Sequence, residues 1–448
     1  MEGTGNKLER TISLPGAVST LIGYVVGASI FVLVGPLAGD AGPALWLAYL
    51  MAAIPAVFVC FTSAQMASIL PVTGANYVAA SRTLSPFWGF MMVWTVVVTT
   101  AVGQALLAYG FAEYLSYLVG DINIMLTAVA IVLVVGVLNY VGVKLSVAVQ
   151  LIMVVEFILA LLIFGIGGLF TLDPNLMVPL MPNGFAAVVA VAVTAYFSYS
   201  GFMIIADMGG EIKNPSRNIP IALAISLFMV LLMYTLVAVS LVGNMDWRVL
   251  GSMEAAVAQT SELFLPKWMA IIISLSALFA AATTIHAVIL SSSRQVFALA
   301  QDRIWPEALG KVNKFNTPGN AVLFITFVSM LGILIGTSIQ NYANVTVLGF
   351  MIMQILIGLS VWKIPRAMPE NYARAPFKLN KFWRGFFCWG LVAISAVFLV
   401  IGVVTSLEST LIYFSCLIVG VFWYFYRRAA LRKQGVDLKD LLSKVPEA

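Results

Sequence analysis

The sequence predicts an all-α polytopic membrane protein of 12 transmembrane helices, and three observations carry that prediction. Apolar residues make up 61% of the 448-residue chain and charged residues only 10%, against roughly a quarter charged in an ordinary soluble domain. The apolar residues gather into twelve stretches, most of them at or beyond the roughly 20 residues that span a bilayer core of about 30 Å. Of the 24 Lys and Arg residues, 22 fall on one side of those stretches, Arg248 and Lys267 being the exceptions. Short loops rich in Lys and Arg stay cytoplasmic. The even-numbered connections and both termini are therefore expected inside, in a multi-pass protein of the cell membrane.

Segments 1 to 12 lie near 14–36, 43–70, 87–119, 123–142, 145–171, 185–211, 219–243, 267–300, 318–338, 342–364, 385–406 and 408–427. Residues 1–13 are polar and form a short cytoplasmic N-terminal segment. Segment 1 is too long for a removable signal peptide and lacks a small-residue cleavage site, so it is expected to remain as a helix. The connections are short except 243–267 outside, 301–317 inside and the basic stretch 363–385. Residues 428–448 are a charged cytoplasmic tail, too small for catalysis. The net charge of +5 is what membrane orientation demands of these loops, and no nucleic-acid partner is needed to explain it. Cys60, Cys388 and Cys416 sit in or beside apolar segments with no pairing spacing and no clustered His, which argues against a disulfide framework or a zinc site. With no cysteine in the outer loops, a disulfide-linked subunit is not expected; the chain would work in the lipid bilayer as a monomer or weak homodimer, with no cofactor beyond a coupling ion.

Two segments break the helical pattern in corresponding places. Segment 1 carries Gly23, Gly27, Ala28, Ser29 and Gly35, and segment 6 carries Ser198, Tyr199, Ser200 and Gly201. A glycine inside a helix costs about 1 kcal/mol against alanine, so local unwinding is inexpensive at either point. The alternative is close helix packing through small residues. Segment 1 runs outward and segment 6 inward, which fits two five-helix halves of opposite topology, 14–171 and 185–364, the inverted repeat of many secondary transporters. Residues 365–427 would then add two peripheral helices.

The residues at these places resemble the amino acid-polyamine-organocation permeases. Gly27-Ala28-Ser29-Ile30-Phe31 is similar to that family's G-S-G-I-F, and Pro71 to Tyr77 followed by Pro86 to Trp94 to its P-x-x-G-G-x-Y…G-P…G-W pattern. Asn139 to Lys144 matches N-x-x-G-V-K. Tyr199-Ser200-Gly201-Phe202 with Glu211 to Pro220 resembles G-F…E-E-x-K-N-P-x-R-x-I-P, and Ser293-Arg294 with Asp302 and Pro306 resembles S-R…R-D…P. The resemblance implies a LeuT-type 5+5 inverted repeat with broken helices 1 and 6 plus two peripheral helices, working by alternating access. It also implies a substrate with an amine and usually a carboxylate, held between the broken helices. Three departures stand out: Gly210 where an acidic residue is frequent, Ser29 in place of a glycine, and Phe157 where several members carry a Lys.

An unwound helix in lipid leaves N–H and C=O groups that cost several kcal/mol each unless paired, and a zwitterion can pair both kinds. Its carboxylate would accept from the amides around Gly27, Ala28 and Ser29 at the positive end of a half-helix, and its ammonium would donate to carbonyls near Phe197, Tyr199 and Ser200, beside Gly201, and in segment 1. Phe197 either closes over the substrate or packs as core. Ser29 and Ser200 narrow the space, which favours a small amino acid. Gln104 and Gln354 reach either the substrate or a neighbouring helix.

Acids inside apolar helices cost at least about 2.5–3.5 kcal/mol when charged at the bilayer centre and are functional suspects by default. Glu156, mid-segment 5 with no basic residue in helical reach, is the first choice for a proton-coupling group, since burial favours its neutral form; a permanently protonated hydrogen-bonder is the alternative. Glu113 reads as a solvated rim residue. Asp207 lies on the inward path and could pair with Arg294 or Arg10 in an inner gate or simply as structure. His286, the one histidine, is either a titrating group or a neutral core residue. Thr283 and Thr284 fall where sodium-coupled relatives supply hydroxyl ligands, although such threonines often bond the carbonyl one turn back.

The function this points to is a secondary active transporter moving small amino acids across the cell membrane, proton-coupled or by exchange. A polyamine or other organic-cation transporter is the alternative, in which Glu156, Asp207 and Glu113 would bind amines directly. A membrane enzyme lacks its constellation here: one His, no His/Cys metal cluster and no nucleophile motif. A channel would need an ion-selective ring across subunits rather than paired broken helices.

Overall fold

A computed structural model describes residues 12–72, 74–142, 147–208, 212–375, 377–435 and 438. Among these the chain is helical throughout, and the one strand-like feature is an isolated parallel bridge between Ile12 and Ile212. Ten stretches are long and apolar enough to cross a membrane, and one of them, Leu14–Ile69, runs for 56 residues.

Within that long stretch the residues dictate where the chain turns. Helix α1 (Leu14–Val26), with Pro15 in its first turn, stops at Gly27, whose φ of 37° and ψ of −161° disfavour any Cβ. α2 (Ser29–Ala41) ends at Gly42, φ 66°, and a short 3₁₀ turn, Gly42–Ala44, leads into α3 (Leu45–Ile69). A short helix α4 (Ala75–Thr83) follows Gly74, and α5 (Pro86–Val119) starts with Pro86 in its first turn and Ser85 Oγ accepting from Trp88 N. α6 (Ile124–Val141) is capped by Asn123 and closed by Gly142 in the left-handed region, and α7 is Val147–Leu169.

The second half opens with α8 (Gly184–Ala195), which passes without a loop into a 3₁₀ helix, Tyr196–Met208. α9 (Pro215–Asn244) again begins on proline. Two short helices, α10 (Trp247–Leu250) and α11 (Ala256–Ser261), precede α12 (Lys267–Gln301). α13 (Gly319–Leu334) is a shorter apolar helix of 16 residues, followed by α14 (Ile339–Ala367) and the short α15 (Pro369–Arg374). α16 (Lys381–Thr405) and α17 (Leu407–Lys433) complete the chain.

Packing sorts these helices by burial. α1 lies against α9, α7, α12 and the 3₁₀ helix, and α3 against α9 and the 3₁₀ helix. α5 is surrounded by α12, α13, α14 and α6, and 94% of its most apolar window is buried. α17 buries only 22% of its window and turns Phe422, Phe425 and Tyr426 outward, as a peripheral lipid-facing helix would. The interior between α1, α5, α12, α14 and the 3₁₀ helix is where the interruptions meet.

Candidate functional site

The interruption in the first helix is sharp. Only Gly27 and Ala28 lie outside α1 and α2, and the amides of Ser29 and Ile30, the first of α2, have no carbonyl of their own helix to bond. Ala28 O accepts from both Phe31 N and Val32 N at 3.0 Å, which starts the second half-helix. Ser29 Oγ donates back to Val26 O at 3.3 Å. A Cβ at Gly27 would stand 2.8 Å from Thr284 Oγ1, so glycine there is required both by its dihedrals and by the close approach of α12.

The second interruption takes a different form from the one expected at residues 198–201. The chain does not unwind; it switches from α to 3₁₀ geometry over 13 residues, an unusual length for a helix type whose runs seldom exceed three or four residues. Thirteen residues rise about 26 Å as 3₁₀ and about 20 Å as α, so the run is also stretched. Gly201 lets it touch α1: a Cβ there would sit 2.9 Å from Val25 Cα. Ser200 Oγ donates to Phe197 O at 2.7 Å.

Tyr234 of α9 joins the two interruptions and was not anticipated from the sequence. Its buried hydroxyl lies 2.9 Å from Val25 O, 3.4 Å from Val26 O and 3.1 Å from Ser198 O. One O–H proton is thus shared among carbonyls at the end of α1 and in the 3₁₀ helix. Its ring packs edge-on against Tyr199 and Tyr49, with centroids 5.1 and 5.6 Å away. Lys213 N donates to Ile12 O at 2.8 Å, a second tie, here between the chain entering α1 and the chain leaving the 3₁₀ helix.

A cavity of about 90 Å³ opens at this junction, several times the roughly 10–15 Å³ that one water needs. Of the residues singled out in the sequence, Gly27, Ser29, Phe197, Ser200, Gly201 and Thr284 line it. α12 contributes Thr284, Val288, Ser291, Ser292 and Gln295, a stripe at helical spacing, and α5 contributes Val96, Thr99, Thr100, Gly103 and Leu107. α14 supplies Thr346, Phe350 and Met353, and Asn76 of α4 borders the inner part. Among the described residues, none that lines the cavity is charged. Thr100 and Ser292 hydroxyls pair across the cavity wall at 2.7 Å. Phe197 is 9% exposed and its ring lies 6.4 Å from that of Phe350, so it borders the cavity and packs at once.

The other singled-out residues do not line the cavity. Ala28 is buried behind Gly27, and Tyr199 faces Tyr234. Gln104 donates to Ile285 O at 3.1 Å, and Gln354 is held by Tyr196 and by Ser395, whose Oγ donates to Gln354 Oε1 at 2.8 Å. Both glutamines tie helices together. Thr283 bonds Phe279 O at 2.8 Å and Thr284 bonds Ala280 O at 2.7 Å, each the carbonyl one turn back. Asn139 Nδ2 donates to His286 Nδ1 at 3.0 Å. Glu156 Oε1 accepts from Ser276 Oγ at 2.6 Å, while Oε2 is buried with no hydrogen-bond partner. The Asp207 side chain, Arg10, Lys144, Gly210 and Glu211 lie outside the described residues.

Below the cavity, next to Asn76, Tyr77 donates to Asp302 Oδ2, and Arg82 reaches the same oxygen at 3.3 Å. Burial first, then the neighbouring carboxylate, hold the Tyr77 phenol well above its ordinary range, so it stays a donor. This ties α4 to the inner end of α12. Asn76 Nδ2 also lies 3.4 Å from Met203 O, linking α4 to the 3₁₀ helix.

Comparison with known proteins identifies the family of the chain. The profile of the amino acid permease family matches residues 16–434. The chain is 26% identical over 371 residues to the branched-chain amino acid permease BcaP of Bacillus subtilis, covering 78% of this chain and 79% of the relative. It is 26% identical over 438 residues to the methylthioribose transporter of the same organism, covering 92% and 94%, and 28% identical over 326 residues to cationic amino acid transporter 5 of Arabidopsis thaliana, covering 69% and 57%. These relatives are transporters, not enzymes.

Proposed function

The chain belongs to the amino acid permease family, and from that premise we propose that it is a secondary active carrier of small neutral amino acids working by alternating access. One observation carries this reading: a cavity whose lining, among the described residues, is uncharged sits at the Gly27–Ala28 interruption. A zwitterion suits such a place because its carboxylate can accept from the first amides of α2 and its ammonium can donate to carbonyls of α1 and the 3₁₀ helix. A polyamine would bring two or more cationic groups to a wall that has no carboxylate among its described residues. Glu156, held by Ser276, and Glu113 do not border the cavity.

In this reading Leu14–Ile69 crosses twice and Gly319–Leu334 crosses once, so ten stretches become twelve spans, ten of them in two inverted halves (14–171 and 185–364). Both termini lie in the cytoplasm of a cell whose plasma membrane holds the protein. Glu156 couples transport to a proton: its Oε2 has no hydrogen-bond partner and a proton there removes the charge from lipid. A sodium ion at Thr283 and Thr284 is the rival coupling device, and it is less well supported because both hydroxyls already bond their own helix. No cofactor or covalently linked subunit enters the cycle.

Counterflow in proteoliposomes tests the carrier. Vesicles loaded with unlabelled alanine should transiently accumulate external labelled alanine, and putrescine should not compete. Absence of counterflow across a panel of neutral amino acids, or efficient competition by putrescine, would overturn the reading.

A further inference from the structure

Three glycines border the cavity, and the fold demands only two of them. At Gly27 the positive φ and Thr284 exclude a side chain, and at Gly201 the backbone of α1 does, with Tyr24 C at 3.0 Å and Val25 Cα at 2.9 Å from an added Cβ. Gly103 is different. It lies inside the 34-residue helix α5, where glycine weakens a helix relative to alanine. An added Cβ would meet Thr346 Cγ2 and Oγ1 at 3.4 Å and Phe197 Cε2 at 3.5 Å, all ordinary contacts. Other glycines of the membrane helices close on a neighbour: an added Cβ would fall 2.1 Å from Val32 at Gly110, 2.0 Å from the Ala101 carbonyl at Gly332 and 2.2 Å from Thr99 at Gly349. The bare backbone at Gly103 therefore serves no packing contact, and what it leaves is space between α5, Phe197 and Thr346.

We propose that Gly103 sets the upper size limit of the substrate side chain. The inference rests on the amino acid carrier reading above and adds where the side chain goes: across α5 at Gly103, between the Phe197 ring of the 3₁₀ helix and the Thr346 methyl of α14. The walls there are aromatic and aliphatic, with Leu107 and Phe350 also on the cavity, so the group accommodated is apolar. One methyl added at position 103 takes volume directly from that side chain. In a closely fitting apolar pocket one carbon changes discrimination by about tenfold or more.

The test is the ratio of competition by leucine to competition by alanine, measured against labelled substrate in proteoliposomes. In Gly103→Ala this ratio should fall about tenfold or more. Thr346→Ser keeps the hydroxyl that bonds Tyr342 O at 2.8 Å and removes the facing methyl; it should raise the ratio, and the double variant should return toward the parent. Gly385→Ala, whose Cβ would meet only Trp362 at 3.5 Å and 3.9 Å and which lies off the cavity, should leave the ratio unchanged. Equal ratios in the parent, Gly103→Ala and Thr346→Ser would overturn the size limit while leaving amino acid transport intact. Absence of amino acid uptake by the parent protein would overturn the transport reading and the size limit with it.

Discussion

The two interruptions solve the same problem in opposite ways. Helix 1 stops outright at Gly27 and Ala28 and restarts as α2, whereas helix 6 keeps a continuous backbone ladder in 3₁₀ form from Tyr196 to Met208. Carbonyls of both are already engaged by protein hydroxyls: Val25 O and Ser198 O by Tyr234, Phe197 O by Ser200. The amides that open α2 are less encumbered, since no carbonyl precedes them in their own helix. The difference teaches that a bare helix start leaves donors open to a ligand, while the acceptors of the two interruptions are shared with side chains.

Breaking the sharp interruption should have the largest effect. Gly27→Ala forces an alanine into a conformation costing about 1–3 kcal/mol and against Thr284; uptake should fall to background, and a lowered melting temperature in detergent should accompany it. Normal uptake by this variant would refute the role of the break. The next effect sharpens the asymmetry through the ligand: alaninamide, which lacks the carboxylate, should compete for labelled alanine several-fold worse than lactate, which lacks the ammonium. The reverse order would place the dominant contacts on helix 6.

Tyr234→Phe removes the hydroxyl common to both interruptions. Leaving buried carbonyls without it costs about 1–3 kcal/mol, so the variant should melt a few degrees lower and transport roughly tenfold more slowly, a factor worth about 1.4 kcal/mol. Unchanged thermal stability and rate would reduce Tyr234 to packing. Glu156→Gln acts outside both interruptions. Uptake by the parent is expected to rise as external pH falls, and the variant should lose that dependence; if its pH profile matches the parent's, Glu156 is not the coupling group. Ser200→Ala should have the smallest effect, within about threefold on the apparent affinity for alanine, because it removes only a neutral local bond worth about 0.5–1.5 kcal/mol.

Much of this site was legible from residue type. Gly27, Ser29, Ser200 and Gly201 stand out as small residues in mid-membrane, Phe197 by its likeness to a family aromatic and Thr284 as a hydroxyl where sodium-coupled relatives hold their ion; all border the cavity. Thr284, Val288, Ser291, Ser292 and Gln295 share a helical stripe that periodicity alone could have revealed. Tyr234, Thr346 and Gly103 carried no such signal, because an isolated tyrosine, threonine or glycine in an apolar helix looks the same whether it faces lipid, core or cavity. Gln104 and Gln354 were ambiguous in sequence for the same reason, and the structure turns both to neighbouring helices.

Composition and the placement of Lys and Arg determined by themselves that the chain crosses a membrane many times, because the cost of burying polar groups in lipid acts on each segment independently. Glycine and proline likewise determined where helices stop, as at Gly27 and Gly42, and where one starts, as at Pro86. Only the tertiary structure decided that helix 6 becomes a 3₁₀ run and that Tyr234 serves two helices at once. It also placed Gly103 on the cavity, where an added methyl would meet Thr346 and Phe197 only at ordinary contact distance. These outcomes depend on how far apart packed helices come to rest, a property of pairs and triples of segments that no single segment encodes.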